Sequence, residues 1–223
     1  MHGAGPAVGW DVVTTRPGRP LHWQAAAFLV GSAGIGLGVG TMINADLGVT
    51  PADVTNTGIA SHVGLGVGTI AWAFATSITF VAWILGRVPT VGTFLSSLLI
   101  GIGVNASIAV LPTPEAVPIR LLMLAAGLVV LYVGIVSIVA SGRGTGPLEL
   151  LMLALNDRGL RLHRARWIIE GALVVVGFLL GGQIGLGTAL FAAMTGPVLA
   201  ATLPPALRWM GTEHAVPINA GTA

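Results

Sequence analysis

Two short stretches decide how this chain reads: Gly48-Val49-Thr50-Pro51-Ala52-Asp53 and Gly144-Thr145-Gly146-Pro147-Leu148-Glu149. Each has a glycine, then a proline three positions on, then an acid two positions after that. Each reads as the start of a helix. Thr50 or Gly146 takes the N-cap, Pro51 or Pro147 the first helical position, and Asp53 or Glu149 the third. Thr50-x-x-Asp53 is close to a capping box, and an acid there complements the positive end of the helix dipole.

The flanks of the two stretches also correspond, at a spacing of about 95–96 residues. Gly31 falls on Gly127, Gly38 on Gly134, Trp72 on Trp167, Gly92-Thr93 on Gly187-Thr188 and Gly101 on Gly196. Glycine matches alone mean little in a chain with 33 glycines among 223 residues. The proline, the acid, the tryptophan and the Gly-Thr pair recurring in one order indicate an internal duplication.

What surrounds the signatures is apolar. Hydrophobic residues make up 54% of the chain, charged residues only 8%, and the mean hydropathy is +0.90. A soluble domain carries about 25% charged residues, so a soluble enzyme is excluded, as is a disordered chain. The net charge of +2 is too small for a nucleic-acid surface. There is no cysteine, and the five histidines are scattered with no helical H-x-x-x-H pair. No metal site or cofactor is expected, and no ATP-binding P-loop occurs. The chain is expected not to be an enzyme.

The runs 20–45, 54–86, 88–114, 121–142 and 171–207 contain no Asp, Glu or Arg. The last is too long for one crossing, and Gly181-Gly182-Gln183-Ile184-Gly185-Leu186-Gly187 divides it as a tight turn. The expected fold is therefore all-α: a polytopic transmembrane bundle of two homologous repeats. Six long spans fall at about 24–45, 68–86, 90–111, 119–140, 166–182 and 187–207. Two short helices fall at 51–63 and 147–157. The short ones reach only ~16–20 Å at ~1.5 Å per residue, against a hydrocarbon core of ~30 Å. Residues 1–23 and 208–223 are tails, 24–112 the first repeat and 113–207 the second.

Two topologies are open. If the short helices do not cross, the repeats are inverted, and every arginine except Arg120 lies on the cytoplasmic side with both termini. If they cross, there are eight spans and parallel repeats, with Arg87 and Arg143 outside and Arg120 inside. The positive-inside rule favours the six-span arrangement by one arginine. Both place the basic segment from Asp157 to Arg166 in the cytoplasm.

The duplicated acids admit two readings, as helix caps or as a polar patch within the bilayer, where polarity is costly. In transporters with broken helices such patches bind substrate. On that reading Asp53 and Glu149 take a cation or proton, while Thr50, Asn56 and Thr145 hydrogen-bond a solute. Arg143 pairs with Glu149 or attracts an anion. Thr93 and Thr188 cap the third span of each repeat or mark a close approach beside the short helix. Elsewhere, Glu170 is expected to pair with Arg166 four residues before it. Gly34, Gly36, Gly38 and Gly40 form a small-residue packing face.

The signatures and their flanks resemble the YczE/YyaS/YitT family of bacterial membrane proteins. The residues that carry the resemblance are Gly-Leu-Gly-Val-Gly-Thr at 36–41 and 64–69, Leu-Gly-Val-Thr-Pro-Ala-Asp-Val at 47–54 and Val-Gly-Thr at 91–93. The second half adds Gly-Thr-Gly-Pro-Leu-Glu at 144–149 and Gly-Leu-Gly-Thr at 185–188. The chain looks closest to the shorter YczE-like members. Where those often read Pro-Trp-Asp, this chain has Pro51-Ala52-Asp53. The resemblance implies an integral inner-membrane protein and a candidate transporter.

The expected function is carriage of a small solute across the bacterial cytoplasmic membrane. The alternative is a membrane sensor, assembly or regulatory protein that transports nothing. The expected partners are the lipid bilayer, the unidentified solute with a proton or another ion, and a second copy of the chain as a homo-oligomer; no nucleic acid is expected.

Overall fold

The computed structural model describes residues 19–144 and 146–212. Much of both tails, and Thr145 of the second signature, lie outside the described residues. Eight helices account for the described chain, and no strand occurs among the described residues. They are α1 (Leu21–Ala45), α2 (Pro51–Val63), α3 (Val67–Ile84), α4 (Val91–Val110), α5 (Val117–Ser141), α6 (Pro147–Asp157), α7 (Leu162–Leu179) and α8 (Leu186–Met210). A long helix, a short one and two long ones follow each other twice. Helices suit such apolar segments because each satisfies its own backbone polar groups without water.

Five helices are long and apolar enough to cross a membrane: α1, α3, α4, α5 and α8. The sixth expected span, α7, carries Arg164, Arg166 and Glu170 and is not among them. It also starts at Leu162, a turn earlier than the expected start at about 166, because the helix continues through its basic first turn. Large apolar side chains cover the outside, with Ile84, Val91 and Val110 each more than 80% exposed. In water such a surface would aggregate; against lipid it is the proper exterior.

The centre of the bundle is the antiparallel crossing of α1 and α5. Gly31 lies against Gly134, and Gly38 against Gly127. A methyl group on Gly38 would come within 2.7 Å of the Gly127 carbonyl oxygen. The glycines bring the two backbones together, as small residues do between membrane helices. Gly36 and Gly40, on another face of α1, meet Gly103 and Ser107 of α4 in the same way. Around this seam Val39, Met42, Ile43, Val104, Leu124, Leu128 and Leu131 form the apolar core.

The ends of the long helices collect into two groups. At one end Asn44 donates to the Leu111 carbonyl at 2.8 Å, and Arg120 pairs with Asp46 at 2.8 Å. There too the Gly187 amide donates to the Leu47 carbonyl at 2.8 Å, and the Gly68 amide to Asn105 Oδ1 at 2.8 Å. At the other end the Arg19 amide donates to the Met210 carbonyl at 3.0 Å, and Arg143 to Gln24 at 2.9 Å. Arg87 there forms an ion pair with Asp157. The helix α2 starts beside Leu47 and ends beside the start of α3, so both of its termini belong to the first group. Both termini of α6 belong to the second.

Candidate functional site

The loop from Asp46 to Thr50 places the first signature. Gly48 has φ +100°, a left-handed conformation that other residues adopt only under strain, and its Cα faces the backbone of Gly185. Thr50 then caps α2 as its sequence implies, with Pro51 at the first helical position. The capping is not reciprocal, however. The Asp53 amide approaches Thr50 Oγ1 at 3.4 Å, while the Thr50 hydroxyl donates to Asp53 Oδ2 at 2.5 Å. The carboxylate accepts from the hydroxyl instead of from the N-cap amide. The adjacent oxygen Oδ1 accepts from Asn56 Nδ2 at 3.0 Å, one turn further along the same face.

Thr50, Asp53 and Asn56 are thus joined in one buried polar cluster, each at most 7% exposed. Burying an ionised carboxylate is costly unless it is paired or coordinated. The ion pairs among the described residues are Arg87–Asp157, Arg120–Asp46 and Arg166–Glu170, so none reaches Asp53.

A turn between α7 and α8 is bonded to the residues on either side of this cluster. The Gln183 amide donates to Thr57 Oγ1 at 3.1 Å, and its carbonyl accepts from the Val49 amide at 3.3 Å. Thr55 donates to the Leu173 carbonyl at 2.6 Å, which fixes α2 across α7. A cavity of about 470 Å³ opens beside it, lined among others by Thr57, Ser61, Asn105, Ile108 and Gln183. The sequence reading missed Gln183, Thr55 and Thr57. The available signal was a single amide side chain inside an otherwise glycine-rich and apolar turn.

The second signature is built differently. Gly146 caps α6 and Pro147 follows it, as expected. Glu149 is exposed, and its carboxylate folds back over Gly146. Arg143 does not pair with Glu149: its guanidinium reaches Gln24 of α1, because the loop directs it toward the start of α1. Glu170 pairs with Arg166 at 2.9 Å, as its spacing implies.

Thr93 and Thr188 are buried third residues of α4 and α8, not the N-caps, because each helix starts earlier. Thr90 caps α4 by accepting from the Thr93 amide at 3.3 Å, and Thr188 Oγ1 accepts from the Gly185 amide at 3.3 Å. The glycines before them make the close approach, but across the halves of the chain. Gly92 lies against the Arg143 carbonyl, and Gly187 against the Gly48 carbonyl. Each signature loop is therefore held by the helix start of the other half. Asp53 and Glu149 are not joined by any hydrogen bond or ion pair among the described residues. The second large cavity, about 480 Å³, is lined by Phe28, Thr90, Gly92 and Arg143 and lies beside the α4 start.

An apolar exterior, five membrane-length helices and a charge-poor interior define a multi-pass α-helical membrane protein. The chain belongs to a family of unknown function, DUF6198, whose model matches residues 23–204. It is 27% identical over 194 residues to the membrane protein YczE of Bacillus subtilis, covering 84% of this chain and 88% of that one. An uncharacterised protein of Haemophilus influenzae is 29% identical over 166 residues, covering 74% and 76%. The YyaS protein of Bacillus subtilis is 23% identical over 177 residues, covering 76% and 87%. No solved structure matches the chain.

Proposed function

We propose that this protein is a secondary transporter or channel-like carrier of a small solute in the bacterial cytoplasmic membrane, and not an enzyme. The observation that carries the reading is the buried Thr50–Asp53–Asn56 cluster at the start of a short helix whose two ends face the same side. In this reading α2 and α6 are re-entrant and α7 crosses despite its basic first turn. Six crossings result, and both termini are cytoplasmic, beside the basic segment from Asp157 to Arg166. The α1–α5 contacts support inverted repeats. Gly31 meets Gly134 and Gly38 meets Gly127, where Gly31 corresponds to Gly127 and Gly38 to Gly134. That reciprocity belongs to a two-fold axis, and the antiparallel crossing lays the axis in the membrane plane, as in many carriers.

The first signature is the solute-binding part, through Thr50, Asp53 and Asn56. Glu149 and Arg143, with Thr93 and Thr188 beside the loops, form the corresponding part at the opposite end. Self-association into a homo-oligomer belongs to the same reading. Gly196, which corresponds to Gly101, has open space around it, and Trp167 is 73% exposed. That leaves an uncovered glycine on α8 and an exposed aromatic on α7 against which a second copy can pack.

One observation favours a second reading, a sensor or assembly protein without transport: the α1–α5 seam at the centre is closed by backbone contact. The deciding experiment is uptake into proteoliposomes from a panel of labelled amino acids, organic cations and organic anions. Transport by the wild type that falls at least tenfold in Asp53→Asn supports the carrier, and Glu149→Gln is expected to weaken it less. Normal transport in folded preparations of both variants would make the acids plain helix caps. No transport of any panel member favours the second reading.

A further inference from the structure

Two buried side-chain atoms among the described residues have no hydrogen-bond partner: Asn56 Oδ1 and Gln183 Oε1. Both are acceptors, so what they lack is a donor or a positive charge. Asn56 is 3% exposed, and its amide faces Asp53 because Nδ2 donates to Asp53 Oδ1 at 3.0 Å. With Asp53 ionised, turning the amide round would set two acceptors against each other. Its orphaned oxygen is therefore fixed on the same group that touches the carboxylate. Gln183 stands on the turn that Thr57 and Val49 hold against α2, and it offers a further oxygen from that side.

We infer that the Asp53 carboxylate and Asn56 Oδ1, with Gln183 as a further oxygen donor, bind a small monovalent cation, and that sodium is the ion the site fits. The donors are all oxygens, which suit a hard cation. The site holds one carboxylate, and the N-terminus of α2 offsets about half a unit of its charge. The negative charge that remains comes far nearer to matching one positive charge than two. A proton on Asp53 supplies a single donor, whereas a metal ion accepts several oxygens at once. The helix start alone would not make a site; the orphaned, buried oxygen of Asn56, the residue whose Nδ2 touches the carboxylate, does. This deepens the transport reading by naming the coupling ion of its first signature, and it rests on that reading for the ion's purpose.

The test uses the full chain purified in detergent, with sodium chloride replacing choline chloride at constant ionic strength. The wild type is expected to gain roughly 3–6 °C in Tm, saturably, with sodium, and less with potassium. Asp53→Asn and Asn56→Ala are expected to lose the gain, and Asp157→Asn, far from the site, to keep it. Binding of labelled ²²Na⁺ at about one ion per chain, displaced by unlabelled sodium, reads the same site without unfolding. If Asp53→Asn does not fold, Asn56→Ala carries the comparison. No sodium effect over choline, or an equal effect in wild type and Asn56→Ala, overturns the inference. Solute uptake without sodium binding overturns this inference alone. Sodium binding without uptake of any solute overturns the transport reading and leaves the site standing.

Discussion

The Asp53 and Asp157 carboxylates show how the same group behaves in two settings. Asp53 is enclosed, with a hydroxyl and an amide as its partners. Asp157 is the last residue of α6, where the hydrogen bond from Arg87 holds its pKa below the ordinary value of 3.8, aided by the charges of Arg87 and Arg158. A depressed pKa stabilises the fold above the ordinary value, and that contribution is lost as the pH falls through the lowered one. The Asp157 side chain is 48% exposed, so its pair with Arg87 is screened. Asp157→Asn is expected to cost under ~1 kcal/mol at pH 7, a difference that vanishes in strong acid. Thermal unfolding of both proteins across pH checks this; a cost that grows below pH 3.8 would contradict it.

At the scale of the helices, glycine placement separates contacts from open surface. Gly38→Ala is expected to force α1 and α5 apart, at a cost of ~1–3 kcal/mol. Gly196→Ala meets nothing and removes a helix-interior glycine, so it is expected to be neutral or to stabilise by ~0.5–1 kcal/mol. Urea or thermal unfolding in detergent of the two variants side by side reads the contrast. Equal effects would mean that the α1–α5 seam is not the tight contact. The Gly34–Gly40 run was legible as a packing face from its spacing. That it serves two partners, α5 through Gly38 and α4 through Gly36 and Gly40, was not, because spacing names a face and not its neighbour.

For the molecule as a whole, the test concerns the sides of the membrane. The chain has no cysteine, so single cysteines can be added cleanly. Leu65 lies between α2 and α3 and is 54% exposed; His163 lies in the exposed first turn of α7. With α2 re-entrant, a membrane-impermeant maleimide labels Leu65→Cys in intact cells and His163→Cys only after lysis. Protection of both until lysis would mean that α2 crosses.

The sequence by itself determined the helical membrane class, the eight helices and both helix-start signatures. Those follow from composition, from uncharged runs and from Thr-Pro and Gly-Pro caps, all of which act locally. It left the two acids equivalent, since the duplicated motif gives both the same place in a helix. Only the tertiary structure separated them, burying Asp53 on a helix packed against α7 and the Gln183 turn and leaving Glu149 exposed. That difference comes from contacts more than 100 residues apart, such as Gln183 with Thr57 and Leu173 with Thr55. A carboxylate's environment depends on what covers it, and no local pattern encodes the cover.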